Sequence, residues 1–468
     1  MQVTLPLDAR SSGPSVGRLL CLLGVGFGIA VGGGATIGGG ILRTPGDVAG
    51  YMGSAWLTLV VWLVGGLFTL LCSGSVIELA TMLPRSGGWY IFSERAFGKR
   101  VGFVVGCCDW MNITVSNAFL SVALGEIASE LNPYLSSHVT LVALSSFCAL
   151  AFVNLAGLQT GSRTQGVTSA AKALIFFVLI IGCFAYSPPA EFRSTVAHSP
   201  VHASKLLAGW ILAFQAVVVT YDGWYTPMYF AEEDQNPSRN LRRSIIGTVL
   251  SCVAIFLLLN VALIHVLGMD RLRLSKVPVA DASTAVFGSY GGQIILLTSA
   301  VTLISCINAN LLTAPRILYA MARDHLLPRT LAAVNQGGTP AWALLSCLGV
   351  GVVLILSGTV ESLISIASVI AVTTYLSGFA ALLVLRKREP LLARPYKTWW
   401  YPWSTIGALV ASVGFLLGAV IGDLRHSVFT IILVALSYLI SGIITRARAV
   451  TLTAPGSRDA AALESARD

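Results

Sequence analysis

Gly32-Gly33-Gly34-Ala35-Thr36-Ile37-Gly38-Gly39-Gly40 is the stretch on which the fold turns. Six glycines in nine residues cost a helix interior on the order of 5 kcal/mol against alanine, yet they lie inside an apolar run long enough to cross a bilayer. Unwound backbone at that depth cannot turn its N–H and C=O groups to lipid, so it must line a polar cavity or a ligand. Close helix–helix packing through small residues is the other reading of the same glycines.

The rest of the chain supplies the setting. Of 468 residues, 55% are hydrophobic and 11% charged, against roughly 25% charged in soluble domains. Mean hydropathy is +0.79, which excludes a purely cytosolic enzyme. Apolar windows fall near 19–46, 54–80, 101–128, 138–157, 164–186, 206–230, 244–268, 290–320, 341–358, 361–385, 401–422 and 427–445. Twelve spans put both termini on one side. With that side taken as cytoplasmic, the inner segments hold 22 of the 30 Lys and Arg residues and the outer ones 7, as the positive-inside bias requires. The net charge of +9 is thus scattered as an orientation signal and forms no nucleic-acid patch. Polar residues 1–17 ahead of a long Gly-rich run are not the pattern of a cleavable signal. All nine cysteines (21, 72, 107, 108, 148, 183, 252, 306 and 347) lie in apolar runs and read as small core residues, with neither a disulfide framework nor a metal cluster.

The sixth window carries a second interruption, Thr220-Tyr221-Asp222-Gly223-Trp224-Tyr225-Thr226-Pro227. An Asp in mid-span costs roughly 2.5–3.5 kcal/mol, which packing alone does not explain. Breaks in spans one and six stand five helices apart, the spacing of two five-helix repeats of inverted topology with the site at their interface. A half-helix starting at mid-membrane offers free N–H groups suited to a carboxylate, and one stopping there offers carbonyls suited to an ammonium or a cation. Both together match a zwitterionic α-amino acid.

The motifs carry a family likeness. Gly34-Ala35-Thr36-Ile37-Gly38-Gly39-Gly40-Ile41-Leu42 resembles the first-helix signature of amino acid–polyamine–organocation permeases. Tyr221-Asp222-Gly223-Trp224, followed by Glu232-Glu233 and Asn236-Pro237, resembles the sixth-helix signature of the L-type amino acid transporters and their bacterial relatives. Glu78-Leu79 through Pro84-Arg85-Ser86-Gly87-Gly88, and Arg316-Ile317-Leu318-Tyr319-Ala320-Met321-Ala322-Arg323-Asp324 through Pro328, match two cytoplasmic loops of that group. Three positions depart from the pattern: Gly39, Val219 where an aromatic side chain is usual, and Trp89 where Glu commonly follows Gly-Gly.

The resemblance implies an all-α integral membrane protein of about twelve helices on the five-plus-five inverted-repeat transporter fold, with helices one and six broken. It implies a cytoplasmic tail over 1–17, a ten-helix core over 18–390, two further helices over 391–446 and a second tail over 447–468. Substrate contacts are expected at Thr36, Ile37, Gly38, Gly39, Gly40, Val219, Thr220, Tyr221, Asp222 and Gly223, with no catalytic or metal residues and no cofactor. Lys172, about eight residues or roughly 12 Å into its span, either snorkels to the inner face or fills the place of a sodium ion and ties helix five to the unwound helix one. A lysine there is typical of sodium-independent members, so the expected function is sodium-independent amino acid transport across the plasma (inner) membrane, as exchanger or proton symporter. Asp222 either caps the following half-helix or recognises a cationic side chain. Asp109 reads as a structural hydrogen-bond acceptor and His265 as interfacial.

Polyamine or monoamine transport is the alternative, since it would use Asp222 without a carboxylate site. A membrane-embedded enzyme lacks any His-Glu-x-x-His pair, Gly-x-Ser-x-Gly elbow or phosphate loop. An ion or metal transporter lacks the carboxylate, amide and Met ligands of a filter. The expected partners are an amino acid and membrane lipid, with no obligatory second subunit.

Overall fold

A computed structural model describes residues 19–187, 203–358, 360–422 and parts of 428–442. The expected tails 1–17 and 447–468, and most of the twelfth window, lie outside the described residues. What is described is helical: α1 (Val25–Thr36), α2 (Gly40–Met52), α3 (Ala55–Met82), α4 (Trp89–Phe97), α5 (Lys99–Leu131), α6 (Val139–Leu155), α7 (Leu158–Ala185), α8 (Ala203–Thr220), α9 (Pro237–Leu272), α10 (Pro278–Phe287), α11 (Gly291–Arg323), α12 (Ala341–Ser357), α13 (Val360–Arg388) and α14 (Trp403–Gly422). Among the described residues, seven helical segments are long and apolar enough to cross a membrane, and α1 with α2, bent by 54°, makes an eighth.

Local chemistry sets the helix ends. Ser54, in extended backbone, opens α3, whose 28 residues are almost wholly apolar; Pro84 follows its end. Gly53 closes α2 at φ +62°, a left-handed turn that glycine adopts without strain. Small residues then let α1 sit deep in the bundle against α7, α9 and α11. A Cβ on Gly28 would stand 2.2 Å from Ser244 Oγ, one on Gly32 2.6 Å from Thr248 Oγ1, and one on Gly34 1.9 Å from Gln165 Nε2. Those three glycines therefore serve close approach.

One end of the bundle is laced by ion pairs drawn from the loop motifs. Arg316 and Glu233 form a buried pair at 2.8 Å, Arg323 meets Glu232 at 2.6 Å, and Arg85 meets Asp324 at 2.7 Å. The Tyr90 hydroxyl also donates to Asp324, at 2.9 Å. Leu23 donates its backbone N–H to the Glu233 carbonyl at 3.0 Å, which binds the start of the first span to the end of the sixth. Glu78, buried, accepts from Arg386 and from the Thr398 hydroxyl and amide. The cysteine reading needs one correction: Cys21 is exposed, where its Sγ donates to the Glu232 carbonyl at 3.2 Å. Cys107 and Cys148 are half-buried and the other six buried. Residue 21 precedes the first helix, so no neighbouring helix covers it.

Candidate functional site

The first interruption is shorter than the glycine count suggests. α1 continues through Gly32, Gly33 and Gly34 to Thr36, whose hydroxyl donates back to the Gly32 carbonyl at 2.8 Å. Only Ile37, Gly38 and Gly39 leave the helix before α2 begins at Gly40. The two readings of the glycines divide along the sequence, with packing at the first triplet and a break at the second.

The second interruption spans Tyr221–Tyr225, a run of turns after α8. It leads into a 3₁₀ element, Thr226–Glu233, and not into the α-helical half expected from the sequence. Thr226 Oγ1 donates to the Gly223 carbonyl at 2.6 Å, holding the turn. Gly223 has φ +105°, and a Cβ there would lie 2.9 Å from both the Ala35 carbonyl carbon and the Thr36 nitrogen. The two interruptions therefore touch backbone to backbone. Thr220 adds a second tie, its Oγ1 lying 2.9 Å from Thr44 Oγ1.

Lys172 is buried on α7, and its ammonium donates to the carbonyls of Gly34 at 2.9 Å and Ile37 at 2.7 Å. It does not snorkel. Cys306 Sγ, from α11, lies 3.1 Å from the same Gly34 oxygen. Below it, Gln165 Nε2 reaches the Ala30 carbonyl at 3.3 Å while its Oε1 accepts from Asn308 at 2.8 Å. A cation from α7 thus occupies the carbonyls exposed where α1 ends.

The remaining expected site residues separate. Thr36, Ile37, Gly38, Gly39, Gly40, Thr220 and Gly223 gather at the junction of the breaks. The Tyr221 side chain is turned away from it, buried against Trp62 and Phe256, with its hydroxyl 3.3 Å from the Trp62 carbonyl. Val219 and Asp222 instead line a cavity of about 510 Å³ bounded by α3, α4, α5, α8, α13 and α14. No residue of α1 or α2 lines it. Asp222 is not a helix cap: the 3₁₀ element starts after Tyr225 with no side-chain cap bond. Its Oδ1 accepts from the Tyr375 hydroxyl at 2.6 Å, and Tyr375 lies 2.9 Å from the Tyr225 hydroxyl. Trp89 packs its ring against Tyr225 and Tyr375 from behind.

Tyr375 and Cys306 are not legible as site residues, since each sits in an apolar run with no spacing to mark it; Tyr225 lies within the second interruption, but nothing in the sequence marks its hydroxyl as a site group. Asp109 accepts from the Tyr229 hydroxyl at 2.8 and 3.0 Å, and His265 Nε2 lies 3.1 Å from the Tyr186 carbonyl. Among the described residues no three His, Cys, Asp or Glu side chains converge to hold a metal ion.

A polytopic helical bundle with two touching chain interruptions at its centre, one of them held by a buried lysine, is the architecture of a membrane permease. The chain belongs to the amino acid permease family, whose sequence model matches residues 27–443. It is 28% identical over 394 residues to the serine/threonine exchanger SteT of Bacillus subtilis (strain 168), covering 82% of this chain and 88% of that protein. It is 28% identical over 383 residues to the Asc-type amino acid transporter 1 of Mus musculus, with 78% and 70% covered. With the b(0,+)-type amino acid transporter 1 of Homo sapiens it shares 26% over 399 residues, 83% and 80% covered. The motif resemblance to this superfamily and its L-type branch is borne out, and the chain is a multi-pass membrane transporter and not an enzyme.

Proposed function

We propose that the chain is a sodium-independent secondary transporter of amino acids, an exchanger or proton symporter working by alternating access in the plasma (inner) membrane. In this reading residues 18–390 form a ten-helix core of two inverted five-helix repeats, 391–446 add two spans, and both ends are cytoplasmic. The substrate's carboxylate meets the amides of Gly38–Gly40 at the start of α2, and its ammonium meets carbonyls at the end of α8 and those at the end of α1 that Lys172 does not hold. Thr36, Ile37, Thr220 and Gly223 frame that contact, and the backbone of Tyr221 joins it. The names of the relatives, all amino acid transporters, support the substrate class.

The observation that carries sodium independence is the Lys172 ammonium on the Gly34 and Ile37 carbonyls, since a fixed cation there leaves no vacancy for a mobile one. The chain is expected to act without an ancillary subunit. Uptake and counter-transport of the twenty radiolabelled amino acids in proteoliposomes test the whole reading. Accumulation of at least one, unaffected by choline in place of sodium, is expected, and failure of all twenty would overturn it.

One observation favours amines without a carboxylate as a second reading. Asp222 faces a cavity walled by Phe68, Phe119, Trp224 and Tyr375, with no Lys, Arg or His among the described residues of its lining. A carboxylate ringed by aromatic faces suits an organic cation. Tyramine or putrescine uptake in the same vesicles, without amino acid uptake, would select it.

A further inference from the structure

Among the described residues, two acids inside the bundle have no cation to answer them. Asp109 is buried on α5, ten residues or about 15 Å from the start of that helix, and its one hydrogen-bond partner among the described residues is the Tyr229 hydroxyl. Asp222 accepts from Tyr375 at the edge of the cavity. Both side-chain donors are phenols. Tyr225 lies between the two acids: its hydroxyl is 2.9 Å from that of Tyr375, and its ring packs against that of Tyr229 with centroids 6.3 Å apart.

The surrounding groups are neutral or already committed. On α11, Arg316 is bound to Glu233, Arg323 to Glu232, and the Cys306 thiol to Gly34. On α4, Tyr90 is bound to Asp324 and Arg95 to Glu389; α4 also carries Glu94, an acid. From α13 comes Tyr375, while its Arg386 and Arg388 are spent on Glu78 and the Ala96 carbonyl. α12 offers Cys347, which accepts from Trp110, and α6 has Cys148 as its one titratable group. Cys107 and Cys108 directly precede Asp109 on α5, Cys72 is the ionisable group that α3 gives the cavity, and α14 gives it none among the described residues. No ion pair among the described residues includes Asp109 or Asp222.

A carboxylate left in such surroundings without a cation is expensive, and the usual resolution is a proton. We propose that Asp109 and Asp222, set on either side of the cluster of Tyr229, Tyr225 and Tyr375, form a proton-carrying pair that couples substrate movement to a proton gradient. Asp222 takes the proton from the cavity, the pair holds it while the site is occluded, and it leaves to the opposite solution with the substrate. One proton enters and one leaves per cycle, with no other bond made or broken. This rests on the amino acid transport reading and chooses symport within it.

The test uses the full chain in proteoliposomes containing a pH-sensitive dye, with the amino acid that shows counter-transport. An inward proton gradient should raise net uptake severalfold, and substrate should acidify the lumen. Asp109→Asn should keep counter-transport while losing both effects. Tyr229→Phe, which removes a hydroxyl and keeps the ring, should shift the pH midpoint of uptake, whereas a merely structural hydroxyl would leave it in place. Counter-transport in the native protein with no response to the gradient and no proton movement would overturn the proton pair alone. Absence of counter-transport for every amino acid would overturn the transport reading and the pair with it.

Discussion

Gly223 and Thr36 meet with no side chain between them: a Cβ on Gly223 would stand 2.9 Å from the Thr36 backbone nitrogen. The residues are 187 positions apart, and the contact joins the two places where the helices of this chain stop. Gly223 also holds φ +105°, so alanine there meets both a steric clash and an unfavourable backbone. Gly223→Ala should lower uptake by about tenfold or more, equivalent to at least ~1.4 kcal/mol, with the protein still extracted as a folded monodisperse species. Gly33→Ala, where a Cβ would meet nothing within 4 Å, is the matched control and should transport normally. Equal activity of the two variants in initial-rate uptake would show that the contact is dispensable.

Lys172 fixes the other side of the first break. Removing the amine leaves the Gly34 and Ile37 carbonyls with no donor but the weak Cys306 thiol, at about 1–3 kcal/mol per buried group. Lys172→Met should therefore abolish uptake measured in choline or in sodium. The native protein should run at the same rate in both salts, and a collapse in choline would contradict the assignment.

The Arg316–Glu233 pair is a stability element. Both side chains are buried, and the Arg316 guanidinium also lies 4.4 Å from the Phe230 ring centroid. Glu233→Gln strands the arginine charge, which typically costs about 3–5 kcal/mol. Thermal unfolding in detergent should show a clearly lowered midpoint, and an unchanged midpoint would mean that Arg316 finds another partner.

Asp222 discriminates by charge if its carboxylate meets ligand. Asp222→Asn should then lose lysine and arginine counter-transport, while counter-transport of neutral amino acids, which needs no proton gradient, continues. A parallel fall in both counter-transport rates would exclude Asp222 from recognising a cationic side chain.

Much of this architecture is legible in the sequence because the bilayer imposes it. Helices occupy the first eleven apolar windows, and the charged loop motifs around Arg85, Glu233 and Arg316 come together at one end. The errors have local causes. Gly32-Gly33-Gly34 stays helical because Gly32 and Gly34 pack against Thr248 and Gln165, and Thr36 bonds back to the Gly32 carbonyl. The element after Asp222 is 3₁₀, an outcome that the composition of Thr226–Glu233 does not announce. The cavity is built from six helices between residues 68 and 415, and the partners of Asp222 and Asp109 lie 153 and 120 residues away. Periodicity reports which face of a helix is apolar, but not which distant hydroxyl will meet a carboxylate.

The central claim is that bare amides and carbonyls at the two breaks grip both ends of a zwitterion. The direct measurement is competition for uptake of a transported amino acid by that amino acid unlabelled and by its methyl ester, in sodium-free proteoliposomes. Strong inhibition by the free acid, with the ester at least about tenfold weaker, is the predicted result. Equal inhibition by the two would contradict a carboxylate site at Gly38–Gly40.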